Sequence, residues 1–203
     1  MSAEERPLHY GGFWVRFAAF WLDFLVWSPL VAVLFLASQS YRLFSFYYLV
    51  PGTLMGLFYN VYLVRRFGGT PGKLIMGLRI RKVSGETVGY REALLRYVPD
   101  FLFGLLMSVA VIPPLFQMTY AEYHALSFME RQKHLEALAP NWYKPVQIAN
   151  HVWIWSEFIV LLTNRRRRAL HDFIAGTVVV YNQRPNQAMH PTALPRTASL
   201  SDD

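Results

Sequence analysis

The sequence predicts an all-α membrane protein, a four-helix transmembrane bundle with a small cytoplasmic β-hairpin. Three observations carry that expectation. The 203 residues are 54% hydrophobic and only 16% charged, with a mean hydropathy of +0.21, whereas soluble domains run to roughly 25% charged residues. The apolar residues are gathered into long runs rather than spread at amphipathic spacing, the pattern of segments that lie in lipid. The Lys and Arg residues sit between and after those runs, where inward-facing loops of membrane proteins concentrate them.

The first span runs from about Phe13 to Ala37 and carries Arg16 and Asp23 in an otherwise apolar stretch. A cleavable signal peptide is disfavoured: Glu4 and Glu5 spoil a basic leader, Asp23 interrupts the apolar run, and bulky Phe35 stands where cleavage needs a small residue. A short link, Ser38 to Arg42, leads to the second span, about Leu43 to Val64. The third is expected from about Tyr97 to Met118, and the fourth from Gln147 to Thr163, a short segment containing His151 and Glu157. These limits give an N-terminal cytoplasmic segment over 1–12 and a transmembrane domain over 13–182. A tail over 183–203, rich in polar residues with Pro185, Pro191 and Pro195, has little to bury and is expected to be disordered.

Orientation follows from the short loops. Between spans two and three lie Arg65, Arg66, Lys73, Arg79, Arg81, Lys82, Arg91 and Arg96, against Arg42 alone in the first link. The positive-inside rule places that basic loop in the cytoplasm. Four crossings then put both termini inside, together with the Arg165, Arg166, Arg167, Arg168 run, which reads as a contact for anionic lipid headgroups. The formal charge of +7 is thus explained by topology, and nucleic acid is not an expected partner, because groove-reading or stacking context is missing.

Within the basic loop, "LRIRKVSGETVGY" alternates apolar and basic residues before a Ser84-Gly85 turn and a second short run at Thr87 and Val88, which predicts a β-hairpin. "TVVVY", Thr177 to Tyr181, is a candidate third strand. The outer loop from Thr119 to Val146 is expected to be helical over "AEYHALSFMERQKHLEALA" and to lie on the membrane surface.

Charges inside a span raise the insertion free energy by roughly 2.5–3.5 kcal/mol each on translocon scales, and such residues usually face a bundle interior. Asp23 is too deep and too short to reach water. Arg16 lies two helical turns earlier on the same face, with a rise of about 10.5 Å between the two Cα atoms, so direct contact is marginal. Glu157 is placed to share a polar interior with them. Asp100, beside Pro99, reads as an interfacial acid near a helix N-terminus, and His151 as a hydrogen-bonded interface residue. Gly52 and Gly56 form a G-x-x-x-G pair suited to close helix approach.

Enzyme motifs are missing. "FGGTPGKL" departs from a phosphate-binding loop, which needs Gly at Phe67 and Ser or Thr at Leu74. There is no H-E-x-x-H or G-x-S-x-G. Without cysteine, thiolate metal sites and thiol catalysis are excluded. No catalytic activity, cofactor or metal is expected.

Three stretches, "GFWVRFAAFWLDFLV", "GGTPGKLIMGLRI" and "ALHDFIAGTVVV", resemble in order and spacing the RDD family of bacterial integral membrane proteins, over about Gly11 to Tyr181. That family is named for an arginine at the start of the first helix, an aspartate in its middle and a second aspartate, which here map to Arg16, Asp23 and Asp172. The insert from Thr119 to Val146 is not part of the pattern. The resemblance implies the bacterial cytoplasmic (inner) membrane and suggests transport of an ion or small ligand. It also implies an Arg16–Asp172 bridge that closes the bundle and leaves Asp23 without a fixed partner. Two readings follow. In one, Asp23, with Glu157, loads and releases a cation or proton; in the other, Arg16, Asp23 and Asp172 form a buried polar lock. Four helices leave little room for a permeation path, which favours a homodimer.

Overall fold

The structure, a computed structural model, describes residues 9–182; the tail expected to be disordered lies outside them. Helices dominate. Helix α1 (Phe13–Ser40) is followed by α2 (Phe44–Leu57), which passes through a π-helical stretch (Phe58–Tyr62) into α3 (Leu63–Phe67). A single turn, α4 (Pro71–Ile75), leads to strand β1 (Leu78–Lys82) and then α5 (Tyr90–Gln117). Two short helices, α6 (Tyr120–Ala125) and α7 (Phe128–Leu138), precede α8 (Tyr143–Thr163). Helix α9 (Leu170–Ala175) and strand β2 (Thr177–Tyr181) complete the described chain. Helices α1 and α5 are each long and apolar enough to cross a membrane. Helix α8, at 21 residues, spans about 31 Å, close to the ~30 Å hydrocarbon thickness.

Two helices start earlier than the sequence expectation. Helix α5 begins at Tyr90 rather than Tyr97, because the Glu92 carboxylate accepts from the Gly89 N–H at 2.7 Å and starts the helix early. Arg96 therefore sits on a helix, not in a loop. The early start also places Asp100 ten residues inside α5 instead of at its N-terminus. Helix α8 starts at Tyr143 rather than Gln147, with Pro145 in the first turn, where a missing N–H costs little.

The sheet is not the expected hairpin. Strand β1 pairs antiparallel with β2, Leu78 opposite Tyr181 and Lys82 opposite Thr177. The turn at Gly85 forms with φ +88, but its second arm contributes only an isolated bridge from Thr87 to Arg81. Residues 86–89 run at once into the start of α5, leaving no length for a strand, whereas Val178, Val179 and Val180 are all buried. The other edge of β2 takes the N-terminal segment: Gly11 N–H donates to Val179 O and Tyr181 N–H to His9 O, both at 2.9 Å. Residues 9–12 thus belong to the folded domain rather than to a separate segment.

The long helices run between two common ends. At the sheet end, the starts of α1 and α5 meet α4, α9 and both strands around a core of Ala19, Leu78, Ile80, Val88, Ala93 and Val179. At the opposite, insert end, α6 and α7 pack Tyr123 and Leu135 against Leu115 and Met118 of the α5 terminus. The insert is two helices rather than one, each started by a capping box, Thr119 with Glu122 and Ser127 with Glu130.

Candidate functional site

The polar groups carried by the long helices gather at the sheet end in two adjoining clusters. The first is centred on Asp172, whose side chain has no exposed surface. Its position follows from local sequence: Asp172 is the third residue of α9, and its Oδ2 accepts from the Ala169 N–H at 3.0 Å, capping its own helix. Arg16 Nη1 of α1 donates to the same Oδ2 at 3.0 Å. Arg96 Nη1 of α5 and, at 3.1 Å, the Thr177 hydroxyl of β2 donate to Oδ1. One carboxylate therefore joins two long helices to the chain after α8.

Burial alone would raise the Asp172 carboxyl, but Arg96 and Arg16, with the Ala169 amide, outweigh it and hold the group well below the usual carboxylate range. Both arginines are fixed further. Arg16 donates to Gly11 O at 3.1 Å and Val179 O at 3.4 Å, and Arg96 to Thr177 Oγ1 at 2.6 Å. Arg96 Nη2 also lies 2.8 Å from His171 Nε2. A guanidinium can only donate, so Nε2 accepts and the ring proton sits on Nδ1. That atom lies 2.5 Å from Glu157 Oε2, which has no partner in hydrogen-bond geometry among the described residues, while Glu157 Oε1 accepts the His171 backbone N–H at 2.9 Å.

The second cluster is centred on Asp23. Contrary to the expectation that it lacks a fixed partner, it accepts three donors: Tyr59 Oη at 2.5 Å, Thr70 Oγ1 at 2.6 Å and Gly72 N–H at 2.7 Å. The glycine-rich stretch explains how. Gly68 turns the chain at φ +78, Thr70 is extended, and Pro71 opens α4 with φ set for a helix. Gly72 then lies so close to α1 that a Cβ there would overlap the Ala19 carbonyl oxygen and the Asp23 carboxyl carbon. Tyr59 comes from the π-helical stretch, which changes the helix phase locally. Lys73 follows, its ammonium 3.4 Å from Thr70 Oγ1. Burial, helped by Arg96 and opposed by Asp23, lowers it to about 8.

Sequence reasoning brought Arg16 and Asp172 together, and the structure pairs them. Glu157 is not joined to Asp23; it reaches the Asp172 cluster through His171 and Arg96. Arg96, Tyr59, Thr70, Gly72 and His171 were missed as site residues. The signal for Arg96 was the Gly89-x-x-Glu92 helix start, and for Thr70 and Gly72 the Thr-Pro-Gly helix opening; Tyr59 and His171 carry no such local signal.

Asp100 accepts one hydrogen bond, from Trp153 Nε1 at 2.9 Å. It lines a cavity of about 340 Å³ that also touches Asp23, Lys73, Arg96 and His171. It lines as well a second cavity of about 300 Å³ between α2 and α5, beside Ser45, Thr53 and Ser108. Gly56, expected to admit a helix backbone, instead makes room for the Tyr97 side chain. His151 bonds its own helix at Gln147 O, 2.7 Å away. Arg168 turns inward, unlike Arg165, Arg166 and Arg167: it donates to Thr177 O and Asp172 O and stacks on Phe173. Among the described residues no set of three His, Cys, Asp or Glu side chains is placed to hold a metal ion.

The chain is 37% identical over 127 residues to the "Uncharacterized membrane protein YteJ" of Bacillus subtilis (strain 168), covering 55% of this chain and 76% of that one. It is 25% identical over 131 residues to the "Uncharacterized protein YxaI" of the same organism, covering 53% and 85%. No solved structure matches. The model of the RDD family matches residues 10–176, which include Arg16, Asp23, Arg96 and Asp172, and the chain is a membrane protein belonging to that family.

Proposed function

We propose that the chain is a four-span protein of the bacterial cytoplasmic membrane with both termini inside, and that Arg16, Arg96, Asp172 and Asp23 form a structural lock rather than a transport site centred on Asp23. The observation that carries this reading is the commitment of both carboxylates. Asp172 accepts four donors and Asp23 three, and an ionised carboxylate offers only about four lone-pair positions. Asp172 has no position left for a passing cation, and Asp23 keeps one at most, on the Oδ2 that Thr70 already holds. The lock ties the first helix, the third long helix, α4 and the sheet into one unit, and the reading assigns the chain no catalytic chemistry and no nucleic-acid partner.

A second reading is favoured by the two cavities that share Asp100. With one donor from the protein, Asp100 is the carboxylate with capacity to bind a small cation along the α2–α5 groove, and two such narrow grooves in a homodimer would supply the path that one bundle lacks. Sodium or proton flux in proteoliposomes separates the two. Asp23→Asn is expected to lower the unfolding temperature in detergent and to leave any flux per folded protein unchanged. Loss of flux in a fully stable Asp23→Asn would defeat the lock, and loss of flux only in Asp100→Asn would establish the second reading. A reporter fused after Tyr181 should remain cytoplasmic; periplasmic activity would refute four spans.

A further inference from the structure

A cavity of about 1130 Å³ lies outside both clusters, between the start of α1 and the end of α8. Its walls combine two chemistries. Arg165 and Arg167 stand on one side, exposed, with no hydrogen-bond acceptor for either guanidinium among the described residues. Below them the lining becomes apolar, with Trp14 at 77% and Leu162 at 65% exposure. The α8 end is shaped to present the arginines: Asn164 bonds Arg168 O and N–H, holding a turn in which Arg167 has φ +48. Gly12 is what lets the guanidinium reach the groove, because a Cβ there would overlap Arg167 Nη1.

We infer that this groove binds the phosphate of an anionic phospholipid, with Arg165 and Arg167 on the headgroup and an acyl chain along Trp14 and Leu162. Charge complementarity selects an anion, and planar guanidinium forks suit phosphate oxygens. The exposed apolar wall selects a lipid over free phosphate, since Trp14 and Leu162 belong to α1 and α8, the helices proposed to cross the bilayer. Arg166 lies outside the lining and Arg168 is consumed within the protein, so two of the four consecutive arginines make the site. The inference rests on α1 and α8 crossing the membrane as proposed above.

Native mass spectrometry of the detergent-purified full chain, titrated with phosphatidylglycerol or phosphatidylcholine, tests it without depending on topology. The expected result is a phosphatidylglycerol adduct that 10-fold higher phosphatidylcholine does not displace, an excess of about one order of magnitude. Arg165→Gln and Arg167→Gln should each lower adduct population about fivefold, the size expected of one cation near a membrane surface, and Arg166→Gln should not. Gly12→Ala, which displaces the Arg167 guanidinium, should lower it as well. Equal losses in all three arginine variants would reduce the effect to general surface charge and overturn the site. Displacement of the lipid by millimolar inorganic phosphate would overturn the lipid assignment, and no preference for phosphatidylglycerol would overturn both. The topology reporter can fail while the adduct persists, so the two readings are separately refutable.

Discussion

The two ends of the molecule fix their arginines in opposite ways. At the sheet end, Arg16 and Arg96 meet a carboxylate with no exposed surface, so each charge there depends on its partner. At the insert end, Arg42 donates to Leu115 O at 2.8 Å and to Met118 O, and Arg131 to Tyr123 O at 3.2 Å and to Gln39. These acceptors are neutral. The carbonyls at the end of α5 lie at the negative pole of its dipole, where a cation is stabilised without a formal counter-charge. Arg131 adds a stack at 4.1 Å on the Tyr123 ring. The difference is one of interdependence: removing Asp172 strands two cations in a buried place, whereas removing one insert-end arginine leaves carbonyls that the surroundings solvate more readily.

That contrast orders the expected effects. Asp172→Ala should be the most damaging, by about 3–5 kcal/mol or by failure to fold, the cost of leaving buried charges unpaired. Arg16→Ala should cost less, because Arg96 remains. Thermal unfolding in detergent reads both, and the comparison breaks if Asp172→Ala unfolds no earlier than Arg42→Ala. Gly72→Ala comes next, at about 1–3 kcal/mol from overpacking against α1. Gly104→Ala, where a Cβ meets nothing within 4 Å, should instead be neutral or stabilise α5 by up to about 1 kcal/mol, so the two alanines differ in sign. Arg42→Gln should cost about 1.5 kcal/mol, the scale of a charge-assisted hydrogen bond.

The smallest effect is that of mild acid, and it sharpens the comparison. The folded Asp172 carboxyl lies well below its unfolded value of about 3.9. Its stabilisation is therefore fully present above that value and is lost as pH falls toward the folded one. Unfolding temperature should be level on this account from pH 7 to about 5 and fall below about 4, and Asp172→Asn should flatten that fall. A fall in the wild type already centred near pH 6 would point to another group.

Much of this was legible in the sequence for reasons that can be named. The runs of apolar residues marked the long helices, since each covers some twenty residues without a break. Arg16 and Asp172 were identified through the motif order, and their bridge followed from the start of the first span and the chain just after the fourth being expected on the same side of the membrane. The error at Asp23 has a physical cause. Its partners Tyr59, Thr70 and Gly72 lie 36 to 49 residues away, and nothing local in "FWLDFLV" points to them. The hairpin error is similar: local alternation identified β1 as a strand, but not which strand it pairs with, because pairing depends on what apolar surface the rest of the chain brings alongside.

By itself, then, the sequence determined the membrane character, the helix-forming segments and the positions of the charges, because hydropathy, helix capping and proline placement act within a few residues. Only the tertiary structure decided how those charges are partnered. It folds α4 back onto α1 so that Asp23 receives the Gly72 amide, and it brings Arg96 into reach of Asp172 across 76 residues. The physical reason is the directionality of polar contacts. Burial is satisfied by any apolar neighbour, but a carboxylate needs donors at hydrogen-bond distance, and only the folded chain places them.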